Sequence, residues 1–153
     1  MASWAATAQA LRYEAITTVY AWDRNVRLAA PMLTLRSSAA APAQFVFDRG
    51  QLGGPAGLLA FVVSASDAER DVLQDQVLAQ AGTQLGLVLQ PVQTVVEKRA
   101  TFACTPGLQR PRQDIAPGLL ACGDYVAGPY PATLEGAVRS GLQAVAGLQQ
   151  RRH

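Results

Sequence analysis

The chain has 153 residues, half of them hydrophobic and 16% charged, with a formal net charge of +2. That composition is globular and long enough to bury a core, which excludes a disordered chain, and so small a net charge gives no basis for nucleic-acid binding. Two cysteines (Cys104, Cys122) and a single histidine at the last position, His153, exclude a disulfide framework, a Cys/His zinc site and a histidine-based catalytic triad, so no metal is expected.

No apolar run approaches 18 residues, so no transmembrane helix is expected. The opening MASWAATAQALRYEA has neither the apolar core nor the early basic cluster of a signal peptide. The two thiols are expected to be reduced and partly buried, as in a cytosolic protein.

Residues 1–12 are alanine-rich and weakly helical. YEAITTVYAW (residues 13–22) is dense in β-branched and aromatic residues and predicts a strand, followed by a polar turn over 23–27. Short strands are predicted over 32–35 and 44–47, the latter closed by the turn Asp48-Arg49-Gly50. A Gly/Pro loop leads into LLAFVVS (58–64), a continuous apolar run that predicts the most buried strand. Ser66-Asp67-Ala68-Glu69 matches a capping box, with Ser66 as N-cap, launching a helix to about Leu85 whose apolar face is Val72, Leu73, Val77, Leu78, Ala81 and Leu85. Gly86 marks its end. Residues 92–102 predict a strand with Glu97, Lys98 and Arg99 inside it, the mark of an edge strand with solvated side chains. Three prolines make 105–117 irregular, and a last strand (119–122) and a helix to about Gln149 follow. Arg151, Arg152 and His153 suit a helix C-terminus. The order of elements is α+β or mixed α/β, without a regular βαβ array.

Residues 119–141, LLACGDYVAGPYPATLEGAVRSG, hold the candidate site. An apolar strand ends at Gly123-Asp124, and a Gly/Pro loop leads to a helix predicted to start near Ala132. Asp124 has two readings: it caps local N–H groups in a turn, or its carboxylate accepts hydrogen bonds from ligand hydroxyls. Pro131 in the first helical turn costs no hydrogen bond and leaves the N–H groups of Thr133 and Leu134 free. That end is either an ordinary helix start, with Glu135 complementing the dipole, or an anion-facing one. One side of the helix is small (Gly136, Ala137, Ser140, Gly141, Ala144), which allows close backbone approach.

GDYVAGPYPATLEGAVRSG closely resembles the C-terminal flavin-contacting segment of the FAD-dependent amine oxidase and carotenoid-desaturase superfamily. Together with ITTVY, QFVFDRG, LAFVVSAS and EKRATFACTPG, it is most similar to the squalene-associated branch, the hydroxysqualene dehydroxylases. The resemblance implies an α+β (mixed α/β), partial FAD/NAD(P)-binding amine-oxidase-like fold. Residues 1–117 would be part of a substrate-binding domain, a sheet plus the helix at about 67–85, and 118–150 the last strand and helix of the FAD domain. It implies FAD as cofactor, with Gly123 and Asp124 at the ribityl chain, the helix start formed by Pro131, Ala132, Thr133 and Leu134 at the flavin pyrimidine, and Gly136 permitting close approach. It further implies an apolar isoprenoid substrate, reduction of hydroxysqualene to squalene in hopanoid synthesis, and a cytoplasmic protein with peripheral contact at the inner membrane. No catalytic residue is singled out, and Arg99 is given no role.

The superfamily's GxGxxG fingerprint, which cradles the FAD pyrophosphate, does not occur in these 153 residues. The nearest cluster, Gly53-Gly54-Pro55-Ala56-Gly57, precedes a strand and contains a proline that lacks a donor. The expectation is therefore a C-terminal third without the N-terminal Rossmann βαβ, working with a separate Rossmann-containing half. The alternatives are a non-enzymatic remnant that binds no FAD alone, or part of a related carotenoid desaturase or amine oxidase.

Overall fold

The computed structural model describes residues 2–66 and 68–150. Two compact units emerge: Glu14–Ala100, and the residues up to Tyr13 together with those from Thr101 onward.

The first unit is built on a five-stranded sheet in the order β2-β3-β4-β1-β5, with β1 Tyr13–Trp22, β2 Met32–Thr34, β3 Phe45–Asp48, β4 Leu58–Ser64 and β5 Gln90–Phe102. The β1/β4, β3/β4 and β2/β3 pairs are antiparallel. Strand side chains alternate between faces, so one set from each strand meets the helix α2, Arg70–Leu85. Val19, Ala21, Val46, Leu59, Phe61 and Val63 pack with Leu73, Val77 and Ala81 in one buried cluster. Full burial of a side chain such as Leu59 or Phe61 is worth about 1.5–3 kcal/mol, so this face drives the fold. The other face carries the intervening residues. Register aligns Met32, Phe47, Ala60 and Tyr20 in one row across four strands, and Thr34, Phe45, Val62 and Thr18 in the next.

Two glutamines tie the loop before β3 to α2. The Gln80 amide accepts from Ala43 N–H at 2.9 Å and donates to Ala43 C=O at 2.9 Å, as a neighbouring strand would. One turn later, Gln84 does the same for Arg36, at 3.0 and 2.7 Å. Asp48 is buried at the end of β3 and accepts from Leu28 N–H, from the Gln51 side chain and from Gln51 N–H. Burial pushes its pKa up, but the Gln51 side chain and the Leu28, Gln51 and Gly50 N–H groups outweigh that and hold it below the usual carboxylate value.

Strand β5 lies at the edge of the sheet with Glu97, Lys98 and Arg99 exposed, as its charges predict. The Glu97 carboxylate also accepts from Arg99 N–H at 3.0 Å, which blocks that edge donor against another strand.

The capping box does not form. Ser66 N–H bonds Ala15 C=O at 3.4 Å, which keeps the residue tied to β1. The helix begins at Arg70 with an extended Glu69 as N-cap and no side-chain cap, and Asp67 lies outside the described residues. Gly86 ends α2 in the left-handed conformation, its N–H on the Ala81 and Gly82 carbonyls, as expected.

In the second unit, α1 spans Ala2–Gln9, and the Trp4 indole N–H donates to Arg112 C=O at 2.7 Å. The segment expected to be wholly irregular contains β6, Asp114–Ala116, paired antiparallel with β7, Leu119–Leu120. The reason is the Pro117-Gly118 turn between them, with Gly118 at φ +77°. The strand expected over 119–122 is correspondingly short, although Ala121 N–H still bonds Gln113 C=O at 2.8 Å. Helix α3 covers Leu134–Gln150; Arg151, Arg152 and His153 lie outside the described residues. Cys104 and Cys122 are free and exposed rather than partly buried, each lying just past the end of a strand.

Candidate functional site

The loop from β7 to α3 is shaped by its own backbone. Gly123 has φ +151°, and a Cβ there would stand 2.6 Å from the Tyr125 ring. No side chain is tolerated at that approach, so glycine lets the loop fold onto Tyr125. Gly123 N–H donates to Ser140 Oγ of α3 at 3.1 Å, and the Gln113 side chain donates to Ser140 C=O at 3.0 Å. Arg110 grips the loop from the other side. Its guanidinium donates to Val126 C=O at 2.9 Å and, by a short bond, to Gly128 C=O.

Asp124 is half-buried in this loop. Its carbonyl accepts from Ala132 N–H at 3.5 Å, while its carboxylate has no hydrogen-bond partner among the described residues. The crevice it shares with Gly128, Gly136, Arg139 and Ser140 holds only about 10 Å³, room for roughly one water. A larger ligand group would meet the carboxylate at the loop surface. Tyr125 beside it has its pKa raised by burial, by Cys122, by Tyr13 and by Asp124.

The helix start differs from expectation in register. Tyr130 and Ala132 take left-handed φ values of +57° and +56°, so Pro131 and Ala132 belong to the turn and α3 begins at Leu134. Thr133 is the effective N-cap. Its Oγ accepts from Gly136 N–H at 3.0 Å and donates to Tyr130 C=O at 2.7 Å, and its carbonyl receives Ala137 N–H at 3.1 Å. The N–H groups of Thr133, Leu134 and Glu135 have no hydrogen-bond partner among the described residues. They form an exposed donor cluster at the positive end of a 17-residue helix. Glu135 pairs closely with Arg139, which also sits 5.1 Å from the Tyr130 ring centroid.

Gly136 is buried because a Cβ there would lie 2.2 Å from Tyr130 C=O. The small face of α3 is thus used first by the chain itself: Gly136 under Tyr130, Ser140 under Gly123. Gly141 has nothing within 4 Å of a built Cβ. The structure brings Gly123, Asp124, Ala132, Thr133, Leu134 and Gly136 into one loop-and-helix-start arrangement. Sequence reading counted Ser140 only as a small residue of the helix face and missed Gln113 and Arg110, which together with it hold that arrangement. Only the hydroxyl among small residues at Ser140 signals its role; one of two arginines in a proline-rich stretch carries no such mark.

Among the described residues no His/Cys/Asp/Glu group could hold a metal ion, and no helix is long and apolar enough to cross a membrane.

Residues 4–148 match the family model of flavin-containing amine oxidoreductases. The chain is 36% identical over 96 residues to the hydroxysqualene dehydroxylase of Sinorhizobium fredii, covering 56% of this chain and 23% of that protein. It is 37% identical over 87 residues to the hydroxysqualene dehydroxylase of Rhodopseudomonas palustris, covering 51% of this chain and 20% of that protein. These matches span about a fifth to a quarter of the curated relatives' length. A solved structure from Exiguobacterium sp. 255-15, provisionally named a protoporphyrinogen oxidase, superposes with a TM-score of 0.68 at 18% identity, over 94% of this chain and 36% of that one. That likeness bears out the α+β, partial amine-oxidase-like fold. With a family match across nearly its whole length, the chain belongs to the flavin-containing amine oxidoreductases.

Proposed function

We propose that this chain contributes the ribityl- and pyrimidine-facing wall of an FAD site in an oxidoreductase acting on an isoprenoid, with conversion of hydroxysqualene to squalene as the reaction. The observation that carries the reading is the pairing of an unpartnered Asp124 carboxylate with the unpartnered N–H cluster of Thr133, Leu134 and Glu135, in a chain whose curated relatives are named hydroxysqualene dehydroxylases.

The donor set fits one end of a flavin. A carboxylate at a loop surface accepts hydrogen bonds from hydroxyls of a ribityl chain. Free N–H groups at a helix N-terminus favour the negative charge that collects on the pyrimidine edge upon reduction. Gly128, with nothing within 4 Å of a built Cβ, leaves the loop open on its outer side. Gly123, Pro131, Ala132 and Gly136 act by shaping this wall. Replacing a C–OH by C–H consumes two electrons and two protons and releases water, and reduced FAD, when bound, supplies the hydride. The residues here place and polarise; none of them is assigned the proton transfer. The 153 residues contain no GxGxxG, so the pyrophosphate contacts come from protein outside them, in a Rossmann-containing portion, and the isolated chain is proposed to hold no FAD. Such a substrate partitions into the bilayer, which makes peripheral association at the inner membrane part of this reading.

The test replaces the corresponding segment of the Sinorhizobium fredii relative with residues 119–141 of this chain. The chimera is expected to retain flavin stoichiometrically and to form squalene, and Asp124→Ala within it to lower flavin content at least tenfold, the scale of a lost charge-assisted hydrogen bond (~1.5–3 kcal/mol). A chimera that folds without flavin, or Asp124→Ala with unchanged flavin content, refutes the assignment. Saturable, stoichiometric FAD binding by the isolated chain refutes the claim that this wall alone does not hold it.

A further inference from the structure

We propose that the cavity between the loop over residues 37–42, the end of β4 and the first turns of α2 binds an uncharged polyhydroxyl group of sugar-ring size, independently of the flavin reading. The cavity lies wholly within the Glu14–Ala100 unit, on the α2 side of the sheet, where Val63 and Leu73 of the buried cluster reach its wall. Its volume of about 420 Å³ falls in the ~300–1,000 Å³ range of small-ligand sites.

Three walls carry hydrogen-bonding groups: Ser37 and Ser38 on the loop, Gln44 and Ser64 at the paired ends of β3 and β4, and Gln76 on α2. The network fixes the sense of both amides. Gln44 Oε1 accepts from Ser64 N–H at 2.9 Å, so its free group is the NH2 donor. Gln76 Nε2 donates to Ala39 C=O at 3.4 Å, so its free group is the Oε1 acceptor. Neither free group has a partner among the described residues, and nor do the hydroxyls of Ser37, Ser38 and Ser64. Two further features sit on the same wall. Ala65 takes a left-handed φ of +52°, which strains any residue but glycine, and the Ser66 Oγ beside it is buried with no partner. The fold needs neither: a glycine would relieve the first and an alanine the second. Strain and orphaned polar groups of this kind gather where a ligand completes the structure.

The lining chooses the occupant. It holds no Asp, Glu, Lys, Arg or His among the described residues, so an ionic ligand would give up its hydration for no countercharge. A wholly apolar ligand would strand the free amide and hydroxyl groups. A single amide supplies one donor and one acceptor and reaches two walls. A sugar ring carries hydroxyls around its rim, each both donor and acceptor, and meets all three. Its C–H face suits the apolar lining of Pro42, Val63 and Leu73.

The experiment titrates the 15N-labelled full chain with maltose and follows the Gln44 and Gln76 side-chain NH2 signals and the Ala65 and Ser66 amides. Saturable shifts at these signals are expected. Gln76→Met keeps the side-chain length without its polar end, and Ser38→Ala alters only an exposed loop position. Each should weaken binding about three- to tenfold, the worth of one neutral hydrogen bond. Gln74→Met, on the same helix but with its amide serving Thr94, should leave binding unchanged. Dodecyl maltoside below its micelle concentration distinguishes the sources: tighter binding at the same signals identifies a glycolipid head, equal or weaker binding a free sugar. No saturable shift with maltose, a shift with dodecyl maltoside alone, undiminished binding in both Gln76→Met and Ser38→Ala, or an equal loss in Gln74→Met overturns the proposal. So does saturation of the same signals at lower concentration by inorganic phosphate or by N-acetylglycinamide.

Discussion

Gly136 and Gly141 stand on the same helix, and the same substitution at the two should have opposite signs. An unobstructed Gly→Ala in a helix gains about 0.5–1 kcal/mol, because alanine restricts the unfolded chain and glycine does not. Gly141 has nothing within 4 Å of its built Cβ, so Gly141→Ala should realise that gain. At Gly136 the new Cβ would stand 2.2 Å from Tyr130 C=O, closer than real Cβ contacts allow. The obstacle is backbone, and the same carbonyl accepts the Thr133 hydroxyl that caps α3. Relief requires the turn to move by about 1 Å. Overpacking of that kind costs about 1–3 kcal/mol, and loosening the Thr133 cap adds about 1 kcal/mol. Subtracting the propensity gain leaves a net loss of about 1–3 kcal/mol for Gly136→Ala. Urea unfolding followed at 222 nm compares the two variants with the parent. Equal signs, or a Gly136→Ala protein as stable as the parent, would refute the view that Gly136 exists for the Tyr130 turn.

Gln80→Leu strips partners from a fully buried backbone pair at Ala43 and should cost about 2–4 kcal/mol, whereas Gln84→Ala breaks the same kind of double bond at exposed Arg36 and should cost under about 1 kcal/mol. Unfolding monitored by Trp22 in a Trp4→Phe background checks this, and equal costs would contradict the role given to burial. Asp48→Asn should lower stability at pH 7 and flatten its pH dependence in acid. The folded pKa of Asp48 is depressed, so its contribution is present above the ordinary aspartate value of 3.8 and fades as pH falls through the lower folded pKa. A parent and variant with parallel stability curves between pH 5 and pH 2, measured by thermal melts, would remove that carboxylate from the account of acid unfolding.

What the sequence determined by itself was local and periodic. The β-branched and aromatic density of YEAITTVYAW and the apolar run LLAFVVS place β1 and β4 at the residues observed, and Gly86 ends α2 because only a left-handed residue closes that turn cheaply. The glycine-aspartate loop and small-faced helix, with the segments before them, were enough to indicate the family. Tertiary structure decided matters where local signals compete with distant partners. Ser66 looks like an N-cap, yet Ala15 holds its backbone and the helix starts at Arg70. Pro131 looks like a first-turn proline, yet left-handed Tyr130 and Ala132 carry the turn two residues further and make Thr133 the cap. Arg110 and Ser140 fix the Asp124 loop across 16 and 17 residues, a separation at which composition and spacing say nothing about contact. Only pairing register could show that Met32, Phe47 and Tyr20 share one row, because alternation gives each strand its two faces but not which neighbour stands beside it.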